Sequence, residues 1–257
     1  MKKMKLGSKL PRLLIATLAG FVAASGLSVA AVPAEPTPNA FKPGTVTLYT
    51  GTTVDREGSH PLSLLSLVLE ETTAGIVFVE CLSEICSRNT YAGGIVPRRF
   101  GPFAGEAFQD YAYQGDLAAA LSALAPRSST SFPFKETIAG QAEPAIGTLE
   151  LRIGELAAAG ADGASTVLID VIHHYKPGDT TARSKLELPG RRLLAFDYDD
   201  PIDTVQQHLT LTGSAKFESP DWRQRVDNCI AKDPKNLAEF CGCGLPEITA
   251  LCATALH

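Results

Sequence analysis

From about residue 45 onward, apolar and polar side chains alternate along the chain with a period of two. In TVTLYTGTTV, Val46 and Leu48 alternate with threonines, and TLELRI at 148–153 repeats the pattern. The other candidate strands are GIVFVEC at 75–81, STVLIDVIHHYK at 165–176, RRLLAFDY at 191–198 and HLTLTGSAKFE at 208–218. Because this alternation is typical of strands with one face in water, the sequence predicts six or more strands in an antiparallel sheet.

Helical patterns are few within the same region. DLAAALSALA at 116–125 predicts one helix that ends before Pro126, whereas GELAAAG at 154–160 could form a short helix or extend the preceding strand. Strands joined mainly by turns favour a sandwich or an open barrel. We therefore predict an α+β protein with a mainly antiparallel β domain over residues 44–218.

The apolar spacing becomes helical at Ser219. Ser219 with Pro220, Asp233 with Pro234, and finally Pro246 each resemble the start of a helix. Residues 219–257 are therefore predicted to form a tail of three short helices that packs on the β domain. Each predicted helix carries one cysteine on its apolar face, and a fourth cysteine lies in the link between the second and third helices; the four are Cys229, Cys241, Cys243 and Cys252.

The start of the chain has the pattern of an export signal. MKKMKLGSKLPR carries five positive charges and no negative charge, and the uncharged apolar run LLIATLAGFVAA follows it. We interpret residues 1–31 as a signal peptide and the proline-rich residues 32–43 as a spacer, which predicts a periplasmic or secreted protein. The alternative is a retained anchor, because residues 13–32 are about long enough to span a bilayer.

Removal of the predicted signal peptide would make the protein strongly acidic. The full chain has 23 basic and 28 acidic residues, and residues 1–31 hold five of the basic ones, so the remainder has 18 against 28, a net charge of −10. Nucleic acids and anionic membranes repel such a protein. We expect neither as a partner, apart from the membrane contact of the export signal, and the expected partner is an unidentified protein or small-molecule ligand.

All six cysteines follow the predicted signal peptide, and exported cysteines usually form disulfides. Cys81 and Cys86 are expected to brace a turn, although either could instead bond to the tail. For the tail, the sequence leaves two sets of pairings open. These are Cys229–Cys252 with Cys241–Cys243, and Cys229–Cys243 with Cys241–Cys252.

Two chemical alternatives exist for the cysteines of the tail. Cys241 and Cys243, separated only by Gly242, could form a redox-active pair, because a disulfide in so small a ring is strained and therefore more oxidising. The same two thiols could ligate a metal with Cys229, Cys252 or His257, but zinc sites usually space their cysteines by two to four residues. We therefore predict no metal and no other cofactor.

The histidines are assigned from their positions in the predicted strands. His173 and His174 are neighbours, so their side chains point to opposite faces of the sheet. His173 shares its face with Val171, which predicts a buried, hydrogen-bonded side chain. For His174, the sequence offers His208 as a possible cross-strand partner.

Four aspartates lie close together in DYDDPID at 197–203, namely Asp197, Asp199, Asp200 and Asp203. Carboxylate oxygens are the ligands that calcium prefers, but the spacing does not match the helix-loop-helix calcium loop. We interpret the segment as a solvated turn at the end of a strand.

No catalytic motif is present, since the chain lacks G-x-S-x-G, H-E-x-x-H and a glycine-rich phosphate loop. We therefore assign no catalytic residue and favour a non-enzymatic role. The sequence predicts an exported, disulfide-stabilised, acidic binding or accessory protein. One alternative is a periplasmic thiol-disulfide protein that uses Cys241 and Cys243. Another is a hydrolase whose sign would be a pocket that holds His173 or His208 beside a carboxylate.

Overall fold

Twelve antiparallel strands close into a barrel in a computed structural model of the chain. The structure describes residues 41–103, 105–123, 126–157, 164–188 and 192–256, with the backbone alone at 120, 122 and 123. The strands are β1 Thr45–Asp55, β2 Gly58–Thr72, β3 Gly75–Leu82, β4 Cys86–Ala92, β5 Val96–Gly101, β6 Gln109–Tyr113, β7 Ser128–Ile138, β8 Ala145–Ala157, β9 Ser165–Tyr175, β10 Gly178–Leu188, β11 Arg192–Asp200 and β12 Val205–Lys216.

The helices are short, and most of them follow the barrel. They are α1 Leu117–Ala123, α2 Trp222–Ile230, α3 Leu237–Cys241, a 3₁₀ turn Pro246–Ile248, and α4 Thr249–Ala255. The predicted signal peptide lies outside the described residues, as does most of the predicted spacer. Of that spacer, Phe41 is described, and its side chain is buried against Phe78 with 6.0 Å between the ring centroids.

The antiparallel sheet and the short C-terminal helices are confirmed, but the sandwich or open barrel is corrected to a closed barrel. Each strand pairs with its neighbours along the chain, and β1 pairs with β12. This last ladder runs from Thr45 opposite Lys216 to Val54 opposite Gln206. It joins residues as far apart as Thr45 and Lys216, 171 positions from each other in the sequence (216 − 45), so no local sequence pattern predicts it.

The wall of the barrel has a mainly apolar inner face and a second apolar face outside β1, β2 and β3. Inward side chains such as Phe78, Phe134 and Leu149 form the main core. The outward side chains Leu65 and Val79 form a second core with the tail. The strands therefore show two burial patterns: β7 alternates buried and exposed positions, whereas β1 begins with five consecutive buried residues.

The tail covers this second apolar face. Phe240 of α3 is fully buried in the second core, and the backbone amide of Cys86 donates to the carbonyl of Lys235 over 2.8 Å. Arg223 of α2 also donates a hydrogen bond from Nη1 to the carbonyl of Leu69 over 3.0 Å. Backbone and side-chain contacts thus attach the tail to the barrel.

Two tail helices begin later than their sequence signals suggest. Ser219 does not cap α2, which begins at Trp222; instead its hydroxyl accepts a hydrogen bond from Arg225. In α3 the cap is Asn236, whose side chain accepts from the backbone amide of Glu239 over 2.9 Å. The prediction of Ser219 and Asp233 as helix starts was therefore wrong. The hydroxyl of Ser219 is bound by Arg225, and the first turn of α3 is capped by Asn236.

Candidate functional site

Four neighbouring strands, β1, β12, β11 and β10, form a groove of about 500 Å³ on the outer face of the barrel. Gly51 lets β1 lie close to β12 here, because a Cβ atom at this position would be 1.9 Å from the carbonyl oxygen of His208. The groove is lined mainly by outward side chains of these strands, among them Thr52, Thr181, Arg183, Asp197, Asp199 and His208.

The strand register places several of these side chains in one row across the sheet. Thr52 is opposite His208, His208 is opposite Asp197, and Asp197 is opposite Arg183. The row continues beyond the groove to Asp170 on β9. Neighbouring strands are about 4.8 Å apart, so each member of the row can contact the next.

Each charged side chain in the groove has a polar partner. His208 donates from Nδ1 to Oδ1 of Asp197 over 2.5 Å, although both side chains are more than half exposed. Arg183 donates from Nε and Nη2 to the two carboxylate oxygens of Asp170 over 2.6 and 3.0 Å. These hydrogen bonds raise the pKa of Arg183. Asp199 accepts from Nε2 of Gln206 over 3.2 Å.

A second polar network lies beside the groove on β8, β9 and β10. His174 contacts Glu150 through Nε2 over 3.0 Å and Asp179 through Nδ1 over 2.9 Å, so its partner is not His208. Partial burial opposes protonation, but the two carboxylates outweigh it and raise the pKa of His174. Hydrogen bonds from Arg152, together with those from His174 and Ser129, lower the pKa of Glu150 to about 2.

His173 is buried inside the barrel and hydrogen-bonded, as predicted. Its Nε2 lies 3.1 Å from the hydroxyl of Tyr113, which itself donates to the carbonyl of Pro97 over 2.7 Å. Because the tyrosine hydroxyl has only one proton, Nε2 of His173 must be the donor between the two rings. Burial, and secondarily the charge of His174, lowers the pKa of His173 to about 3. His173 is therefore neutral at pH 7, and its side chain is buried.

A buried carboxylate that the sequence analysis missed lies on the opposite wall. Glu80 of β3 accepts hydrogen bonds from Asn89 over 2.6 Å and from Tyr91 over 2.5 Å. Burial raises the pKa of Glu80 to about 7, although these hydrogen bonds oppose the shift. The signal in the sequence was a single glutamate at an inward position of the apolar strand GIVFVEC.

The structure contains three disulfides, Cys81–Cys86, Cys229–Cys243 and Cys241–Cys252. The tail thus has one of the two sets of pairings that the sequence left open, and both of its bonds lie within the tail. The redox hypothesis requires Cys241 bonded to Cys243, and each is bonded to a different cysteine. Disulfides of this number are typical of proteins from an oxidising compartment.

The four aspartates of DYDDPID do not converge on one point. Asp197 and Asp199 face the groove, whereas Asp200 is buried and accepts from the backbone amides of Ile202 and Asp203 over 2.9 and 3.1 Å. Within the described ranges, no group of three or more histidine, cysteine, aspartate or glutamate side chains is placed to share a metal ion. His257, the other metal candidate, lies outside those ranges.

The groove contains His208 beside the carboxylate of Asp197, the pair that the sequence analysis gave as the sign of a hydrolase. However, no nucleophile among the described residues contacts this histidine. Asp197 binds Nδ1 of His208, which leaves Nε2 for a second partner. Among the described residues, no hydroxyl or thiol is hydrogen-bonded to His208, and Thr52 is only its neighbour in the sheet. The backbone amides here belong to strand ladders and are not free to hold an oxyanion.

Comparisons with known proteins leave the family open. No protein-family model matches the chain, and no curated protein matches it. One similar solved structure is a Bacteroides fragilis protein named as a candidate exported protein with a YmcC-like fold. It is 12% identical, covers 70% of this chain and 98% of its own, and has a TM-score of 0.34, too low to establish a shared fold. No helix in the described part of the chain is long and apolar enough to cross a membrane.

Proposed function

We propose that this protein is an exported binding or accessory protein that holds a polar ligand in the groove on β1, β12, β11 and β10. The observation that carries the proposal is the groove itself, about 500 Å³, with its hydrogen-bonding side chains on four paired strands. Ligand sites commonly have volumes of about 300 to 1,000 Å³. A closed barrel also keeps these side chains at fixed spacings, which reduces the ordering cost of binding.

Binding is favoured over hydrolysis because the site holds a base without a contacting nucleophile. His208 and Asp197 are more than half exposed, so water would screen the charges that a reaction needs to stabilise. A binding site tolerates this exposure, since solvent-exposed hydrogen-bonding groups can exchange water for ligand hydroxyls or amides.

The proposal is tested by photo-crosslinking of the full chain in the cells that produce it. A photoreactive amino acid replaces Gln206 in the groove or, as a control, Asp110 on β6, which is six strands away around the barrel. We expect a covalent adduct from position 206 and none from position 110. The adduct should be lost when His208→Ala is added, because the imidazole lines the groove.

The matched control for that loss is His60→Ala, another exposed histidine beside an aspartate, 3.6 Å from Asp55, but outside the groove lining. It should leave the adduct at position 206 unchanged. Equal labelling from positions 206 and 110, or equal loss with both histidine variants, would contradict a binding role for the groove.

A further inference from the structure

We infer that the ligand of the groove is a neutral, polyhydroxylated chain, that is, an uncharged oligosaccharide. This inference rests on the proposed binding function and adds the chemical class of the ligand. It follows from four properties of the groove: its hydrogen-bonded charges, its lack of a large apolar patch, the absence of a free edge among the described strands, and the mixture of donors and acceptors.

The charged side chains of the groove already have hydrogen-bonding partners, and its lining has two aspartates against one arginine, which argues most strongly against an anionic ligand. Asp197 is paired with His208, and Arg183 is held by both oxygens of Asp170. An anionic ligand would have to displace Asp170 from Arg183 or approach Asp197 and Asp199 at close range. A cation would find two aspartates whose oxygens are already shared with His208 and Gln206. A neutral ligand meets neither cost.

The groove offers a ligand a mixed polar and apolar surface without a large apolar patch. Val54 is its one aliphatic lining residue and is 41% exposed, while the ring of Tyr198 is buried at 3% exposure. A ligand with a large apolar body would therefore leave most of that body in water, and the ring of Tyr198 is not open for stacking. The ligand must bind mainly through hydrogen bonds, so we expect weak to moderate affinity.

A peptide lacks its most common way of binding to a sheet. Extended peptides add a strand to an exposed sheet edge, where free backbone groups accept main-chain hydrogen bonds. In this barrel each of the twelve described strands is paired on both sides, including β1 with β12 beneath the groove. Contacts with a ligand must therefore come from side chains.

Those side chains match the hydroxyl groups of a sugar. The hydroxyls of Thr52 and Thr181 can each donate and accept, and the carboxylates of Asp197 and Asp199 retain acceptor sites beyond the one that each shares. Sugar hydroxyls likewise donate and accept at once. Several such groups along four adjacent strands can bind successive hydroxyls of one chain, which a single small hydroxylated molecule could not span.

The test is a titration of the full chain, followed by NMR shifts of backbone amides. The probes are an unbranched neutral hexasaccharide of glucose, one of N-acetylglucosamine, an acidic hexasaccharide of galacturonate, and a serine-glycine hexapeptide. We expect a neutral hexasaccharide to bind most tightly and to shift amides of β10, β11 and β12. Its affinity should change less than twofold between about 0.05 and 0.5 M salt, since no net charge is neutralised.

The variant Asp199→Asn should weaken binding of the neutral sugar about fivefold or more, because it removes a charged acceptor. Asp110→Asn, an exposed aspartate 3.9 Å from Arg99 on the far side of the barrel, should change it less than twofold. Tighter binding of the acidic sugar or of the peptide would overturn the ligand class while leaving the binding function intact. If neither neutral sugar bound at about 10 mM, the ligand class would also be wrong; crosslinking at position 206 decides separately whether the groove binds anything.

Discussion

The barrel has a covered side and a bare side, built from the same kind of strand. On the covered side, β3, the first part of β1 and the middle of β2 bury both faces, the inner one in the barrel core and the outer one beneath the tail. On the bare side, β10, β11, β12 and the last part of β1 carry the polar groove on their outer face. The comparison indicates that one wall can be divided between stability and recognition, because the outward positions are free to differ.

The difference also appears in how the two sides satisfy their outward side chains. Leu65 and Val79 on the covered side pack against the tail and are inaccessible to solvent. Arg183 and His208 on the bare side are more than half exposed and are satisfied by neighbouring carboxylates. Substitutions should therefore affect folding on one side and surface chemistry on the other.

The largest expected difference in stability is between substitutions at outward positions of the covered side and of the bare side. Leu65→Ala removes a fully buried side chain from the second core and should lower the free energy of unfolding by about 2 to 5 kcal/mol. Lys185→Ala, at an exposed outward position of β10, should change it by about 0.5 kcal/mol or less. Urea unfolding followed by far-UV circular dichroism measures both, and equal effects would erase the proposed division between the sides.

Removal of single disulfides compares the stability contributed by a long and by a short closed loop on the covered side. Replacing Cys229 and Cys243 by alanine opens a bond across 14 positions and should cost about 3 kcal/mol. Replacing Cys81 and Cys86 opens a bond across 5 positions in adjacent strands and should cost about 2 kcal/mol. Thermal unfolding of the two double variants tests the order; a larger cost for the shorter loop would show that packing, and not chain entropy, dominates.

Two of the titratable groups buried in the barrel, Glu80 of β3 and His173 of β9, affect stability in opposite directions as the pH changes. Folded Glu80, with a pKa of about 7 against an ordinary 4.5, keeps a proton that the unfolded chain releases, so its contribution to stability falls as pH rises through that window. His173 has a pKa of about 3 in the folded protein, against an ordinary 6.5. Between these pH values it stays unprotonated in the folded protein but is protonated in the unfolded chain, so its contribution to stability rises with pH. Each slope is about 1.4 kcal/mol per pH unit.

Between pH 4.5 and 6.5 the two slopes should cancel and leave the stability of the native sequence nearly constant. Glu80→Gln should make stability rise by about 2 to 3 kcal/mol across this window, and His173→Asn should make it fall by a similar amount. Urea midpoints measured at several pH values give these slopes independently of any overall loss of stability. A flat profile for Glu80→Gln would mean that His173 titrates alike in the folded and unfolded chain. A flat profile for His173→Asn would mean the same of Glu80.

Strands with one wet face were predictable from sequence because their alternation is local. β1, β8, β9 and β12 all contain stretches recognised by this pattern. β2 was not predicted, since LLSLVL at 64–69 is buried on both faces and so does not alternate. The helix α1 and the extension of β8 to Ala157 also follow local sequence signals.

The closure of the barrel and the groove could not be predicted, because both depend on the register between strands. His208, Asp197 and Asp199 were each noticed, but nothing along the chain states that His208 lies opposite Asp197 or that Thr52 completes the row. The pairing of the tail cysteines could not be predicted for the same reason. The helices were predictable from local patterns, but the packing of the helices against one another determines which cysteines form each disulfide.

Because the tail is the last part of the chain to be made, the surface that it covers stays exposed while the chain is incomplete. The outward face of β1, β2 and β3 is made first, and the helices that cover it are made last, at Trp222–Ile230, Leu237–Cys241 and Thr249–Ala255. The free edge of β1 likewise waits for β12. Until the last forty or so residues arrive, an apolar surface and an unpaired edge are exposed together, the combination that promotes aggregation during folding. A holdase chaperone should therefore matter more for this protein during synthesis than after it has folded.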